Sequence, residues 1–156
     1  MLTLTNTLIP RYPLLLLLTL SALFSCTVDE KSEQSVSIQD AWVRPTNPGQ
    51  EVGAAYMTFT SKQDMSLVSV EADVTKSVEI HSMKMENGVM EMRMLDTLPL
   101  KAGVPYKLMP GGFHFMLFDL KKPLTAGQLV NFTLTFKNNK NVTFKQTIQA
   151  PVKDST

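Results

Sequence analysis

Beyond residue 35, apolar and polar residues alternate along most of the chain, and no stretch sustains a helical period. Strict alternation over a few residues marks a half-buried strand, because successive side chains point to opposite faces. The pattern predicts strands over 36–43, 52–60, 65–71, 78–85, 89–95, 106–109, 113–118, 129–136 and 142–149. Turn residues separate most of them, among them Asn47-Pro48-Gly49, Lys62-Gln63-Asp64, Asn87-Gly88, Gly103, Pro110-Gly111-Gly112, Ala126-Gly127 and Asn138-Asn139. In 129–136, Val130, Phe132, Leu134 and Phe136 fall on one face, and Asn131, Thr133 and Thr135 on the other. Many short strands at this spacing predict an all-β antiparallel sandwich or barrel. Trp42 is expected in its core.

One hairpin can be read in register. Asn87-Gly88 joins two alternating runs, and both residues tolerate the positive φ that a type I′ turn demands. A two-residue loop then sets Met85 opposite Met90, Lys84 opposite Glu91, Met83 opposite Met92, and His81 opposite Met94. One face carries His81, Met83, Met85, Met90, Met92 and Met94. The other carries Ser82, Lys84, Glu91 and Arg93, with Lys84 and Glu91 expected as a cross-strand ion pair. Further on, His114 and Met116 are two residues apart and share a face of the strand after Pro110-Gly111-Gly112.

The run from His81 to Met116 thus holds both histidines and seven of the ten methionines. Two readings compete. Methionine is a flexible core filler, and a stripe of it can simply pack. Thioether and imidazole are also the ligands that select Cu(I). Each histidine has a methionine two residues on, and a core needing only volume is better specified by Leu, Ile and Val.

The spacing resembles that of the PCuAC periplasmic copper chaperones, whose motif is His, ten residues, Met, twenty-one residues, then His-x-Met. His81, Met92, His114 and Met116 match it at every interval. Asp40-Ala41-Trp42-Val43-Arg44-Pro45, Ala54-Ala55-Tyr56-Met57 and Pro110-Gly111-Gly112 are similar to the family's surroundings, and the likeness covers roughly 37–150. It implies a cupredoxin-like Greek-key fold and a Cu(I) site formed by His81, Met92, His114 and Met116. Met83, directly opposite Met92, is a possible auxiliary ligand. The function implied is a metallochaperone that hands copper over by ligand exchange, to cytochrome c oxidase subunit II or its copper assembly factors. The alternatives are a copper buffer or tolerance lipoprotein with no dedicated acceptor, and a structural lipoprotein whose methionines only pack.

The first 26 residues read as an export signal. Arg11 precedes an apolar run from Pro13 to Phe24, too short to span a bilayer comfortably. It ends in Leu23-Phe24-Ser25-Cys26, which resembles a lipobox, so Cys26 is the expected lipidation site. Residues 27–35 form a polar tether, 36–150 the domain and 151–156 a short tail. The expected location is the periplasm of a Gram-negative type of cell, on a lipid anchor.

The net charge is +1, and it falls to zero without the segment bearing Arg11, so nothing argues for nucleic acid. Cys26 is the sole cysteine, and a blue-copper centre needs a cysteine inside the domain. No Cys-His or Ser-His-Asp pattern is present and no carboxylate partner is evident for either histidine, so the chain is read as a binding protein, not an enzyme.

Overall fold

The computed structural model describes residues 35–154; the export segment, Cys26 and most of the tether lie outside the described residues. Ten strands occur among those described. They are β1 Val36–Val43, β2 Gly53–Ser61, β3 Met65–Ala72, β4 Ser77–Glu86, β5 Val89–Leu95, β6 Leu98–Leu100, β7 Tyr106–Lys107, β8 His114–Phe118, β9 Leu129–Asn138 and β10 Thr143–Pro151. One sheet runs β1-β2-β8-β4-β5, with β7 also on β2; the other runs β10-β9-β3-β6. All strand pairs are antiparallel. The chain changes sheet between β2 and β3, again between β3 and β4, and β8 inserts between β2 and β4. This is the expected Greek-key sandwich with cupredoxin-like architecture.

The period-two pattern decides which face of each sheet meets the other. Val130, Phe132, Leu134 and Phe136 are fully buried, as the alternation predicts. Phe59 of β2 meets Phe136 edge-on with ring centroids 6.1 Å apart, and Phe115 of β8 lies 6.5 Å from Phe132. These rings, with Met57, Leu67, Leu98, Leu100 and Leu117, close the space between the sheets.

Three features depart from the alternation. The first strand carries a bulge: its register with β2 shifts between Gln39 and Trp42, and Asp40 has φ 51°. An extra residue reverses the facing of every later side chain in the strand. Val36 and Val43 are therefore both buried, while Trp42 leaves the core expected for it and packs at a tilt against Tyr56 on the outer face of the sheet, ring centroids 4.4 Å apart. Second, β6 is a strand that the pattern did not reveal. Leu98 and Leu100 are buried, and Pro99 between them is tolerated because β6 is a sheet edge. Third, the folded region runs past residue 150: Val152 is buried and bridges Val43.

The hairpin has the expected register at every pair from Ile80↔Leu95 to Glu86↔Val89. Asn87 and Gly88 both have positive φ, 52° and 79°. The polar face differs in one detail. Lys84 and Glu91 are register partners, but each ion pair runs along its own strand, Lys84 to Glu86 and Arg93 to Glu91. The strand pairing of β4 with β8 ends at His81↔His114, the Met83 N–H still donates to the Gly112 carbonyl, and beyond that the hairpin is two-stranded among the described residues and exposed at its tip.

If the interlocked rings hold the sheets together, Phe132→Ala should cost about 3–5 kcal/mol. Denaturant unfolding would read this as a fall in midpoint with an unchanged slope; a change under about 1 kcal/mol would contradict it.

Candidate metal centre

Strand β8 fixes one half of the site. Phe115 and Leu117 point inward and are completely buried, so His114 and Met116, each one residue off, must point to the other face. The same holds in β4, where Ile80 is buried and Glu79, His81 and Met83 take the opposite face. The register sets His81 beside His114 and Glu79 beside Met116. The two imidazole centroids are 6.0 Å apart.

A cleft of about 430 Å³ opens over this face, and its wall includes Met83, Met92, His114 and Met116. Gly53 and Ala54 also line it; Ala54 pairs with Met116 and adds little bulk there. His81 is not on the wall but stands immediately behind it, against His114 and Phe118. The fold therefore brings Met92, His114 and Met116 to one cleft, with Met83 beside Met92 and His81 against His114.

Hydrogen bonds set the tautomer of both rings. His114 Nδ1 lies 3.1 Å from the carbonyl oxygen of Gly112, which can only accept, so Nδ1 carries the proton and Nε2 keeps its lone pair. His81 Nε2 lies 2.8 Å from a carboxylate oxygen of Glu79, which likewise accepts. His81 Nδ1 is left bare. Among the described residues it is the one buried side-chain nitrogen or oxygen with no hydrogen-bond partner. A buried polar atom without a partner is costly, and ligation of a metal would satisfy it. Glu79 is the carboxylate partner that was not evident in the sequence. The signal was its place two residues before His81, which puts both on one strand face.

The outer wall continues in an aromatic row. Tyr56 packs 6.5 Å from His114 and under Arg44, whose guanidinium carbon is 5.4 Å from the phenol ring. Burial pushes the Tyr56 hydroxyl above its ordinary pKa, with Arg44 partly opposing, so the phenol stays neutral beside the cleft.

The hairpin methionines are not core. Met85, Met90, Met92 and Met94 are 49–60% exposed, whereas Met57 and Met65 alone of the described methionines are in the buried core. Among the described residues no group of three or more His, Cys, Asp and Glu could hold a metal ion. The donors that line the cleft are methionine sulfur and histidine nitrogen, a set suited to a soft cation and poor for zinc, calcium or magnesium.

A family model described as "Putative lipoprotein LpqE-like" matches residues 36–152. The chain belongs to this LpqE-like family. A Leifsonia xyli relative described as "Putative lipoprotein Lxx21020" is 29% identical over 125 residues, covering 80% of this chain and 73% of its own. Two solved structures share the fold. A copper-bound PCuAC domain is 24% identical at a TM-score of 0.61, covering 77% of this chain and 93% of its own. A Cu(I)-bound protein of Deinococcus radiodurans, solved in solution, is 28% identical at a TM-score of 0.55, covering 81% and 85%. The PCuAC likeness read from the sequence agrees with the family and with these neighbours.

If Glu79 fixes the His81 tautomer, Glu79→Ala should mix the two tautomers at His81 and leave His114 unchanged. Long-range proton–nitrogen correlation spectra of the imidazoles would show this, and an unmixed His81 would contradict it.

Proposed function

We propose that this LpqE-like chain is a Cu(I) metallochaperone, a carrier that binds copper and releases it by ligand exchange. The observation that carries the reading is a pair of neighbouring imidazoles, each held through one nitrogen, with His114 on the wall of a methionine-lined cleft and His81 immediately behind it. The ligands are His81, Met92, His114 and Met116, with Met83 assisting as the hairpin partner of Met92. The Cu(I)-bound relative from Deinococcus radiodurans supports the choice of metal.

The wall suits a metal that must leave. Neutral thioethers hold copper less strongly than thiolates and carry no proton, so ligand loss has no protonation step at sulfur. Met92 is half exposed, so an incoming donor can reach the metal on that side before the imidazoles let go. The domain works as an exported protein held to a membrane by a lipid on Cys26, in the periplasm. There thioethers, unlike thiols, cannot be lost to disulfides. The names of the family and of the Leifsonia relative support the anchor. The acceptor is the copper centre of cytochrome c oxidase subunit II, or a factor that assembles it.

In competition with a chromogenic Cu(I) chelator, His114→Ala should weaken binding by more than the roughly 10–100-fold typical of losing an outer partner, with far-UV circular dichroism unchanged. Binding equal to wild type would sink the assignment. A deletion strain should lose oxidase activity and regain it on added copper or on the wild-type gene. Cys26→Ser should leave the protein in the soluble fraction. Copper sensitivity with intact oxidase would point instead to a buffer without an acceptor.

A further inference from the structure

The four proposed ligands leave most of the hairpin sulfur unused. Three rungs of one hairpin face carry it: His81/Met94, Met83/Met92 and Met85/Met90. Residues flanking a two-residue turn form the hydrogen-bonded pair, which here is Glu86/Val89; alternate pairs beyond it lack those bonds. All three rungs are therefore of the closer kind, with Cα atoms about 4.5 Å apart. Neighbouring rungs on a face are separated by roughly 6.6 Å, two residues of strand. The sulfurs of Met85 and Met90, with that of Met83 one rung inward, can turn toward a common point, because methionine has three rotatable side-chain bonds.

Packing does not account for these residues. Met85 is 60% exposed and Met90 50%, and among the described residues no third strand pairs with the tip. Strand preference does not account for them either, since exposed strand positions favour Thr, Val, Ile and Tyr over methionine. The opposite face of the same hairpin is conventional, bearing Lys84, Glu86, Glu91 and Arg93 in two ion pairs. The sulfur is thus confined to one face, and that face is continuous with the cleft through Met83 and Met92.

We propose that Met85 and Met90, with Met83, form a second Cu(I) site at the hairpin tip, all-thioether and weaker than the cleft site. This inference rests on the Cu(I) reading of the cleft. The tip site takes up copper from solution or a donor and passes it one rung inward. Met83 joins the two stations, so each transfer exchanges one thioether for another while the copper stays cuprous and no proton moves. Lacking imidazole, the tip fills second and empties first.

The test is an anaerobic Cu(I) titration of the full-length protein, following the methionine methyl resonances by NMR. The first equivalent should shift the Met92 and Met116 methyls, and the second should shift Met85 and Met90. In Met85→Leu/Met90→Leu the second equivalent should be lost, the affinity for the first kept, and copper uptake from a small-molecule donor slowed at least several-fold. In His114→Ala the tip response should persist while the tight site is lost. Copper that never moves the Met85 and Met90 methyls, or a double variant that still binds two equivalents, overturns the tip site and leaves the cleft reading intact. Binding of no copper at all by wild type overturns both.

Discussion

The alternation of side chains along β8 is the constraint on which the site depends. Phe115 and Leu117 are drawn completely into the sandwich, and the backbone then leaves His114 and Met116 no choice but the outer face. Because β8 lies between β2 and β4, that face has a strand on each side. On one side the small Ala54 pairs with Met116, and on the other His81 pairs with His114. The hydrophobic core thus aims the donors without contributing an atom to them. A slip of one residue in β8 would turn His114 and Met116 inward and bring Phe115 and Leu117 to the surface, so the register that stabilises the fold also fixes the site.

Rigid and mobile donors are divided between two parts of the structure. The imidazoles are on paired strands and held by second contacts, His114 by the Gly112 carbonyl and His81 by Glu79. The thioethers of Met85, Met90, Met92 and Met94 are exposed, on side chains with three rotatable bonds. A transfer protein needs both: fixed groups that define where the metal rests, and yielding ones that an acceptor can replace. The cleft wall also lacks carboxylates and includes Arg44, which makes it poorly suited to hard divalent ions.

The parts legible in the sequence were those governed by local rules. Asn87-Gly88 dictated the hairpin, and the hairpin dictated every cross-strand pair on it. The buried set of β9 came from alternation alone. The features that escaped depended on exceptions or on distance. Trp42 was misplaced because nothing in Gln39-Asp40-Ala41 announces a bulge, and one extra residue sends the ring to the opposite face. Strand β6 was hidden by its three-residue length and its proline, which only an edge position excuses. Lys84 and Glu91 are opposite each other as expected, yet exposed charges have little to choose between neighbours and each took one along its own strand. Glu79 was visible two residues from His81, but its role emerged only once β8 showed which ring nitrogen remained without a partner.

In the proposed copper-loaded protein, nitrogen and sulfur from distant strands meet on one cuprous ion in the cleft. X-ray absorption spectroscopy of the full-length protein loaded with one equivalent of Cu(I) tests it most directly. The first shell should contain both imidazole nitrogen and thioether sulfur, with the outer-ring scattering that imidazole produces. A shell of sulfur alone, or of oxygen and nitrogen without sulfur, would contradict it.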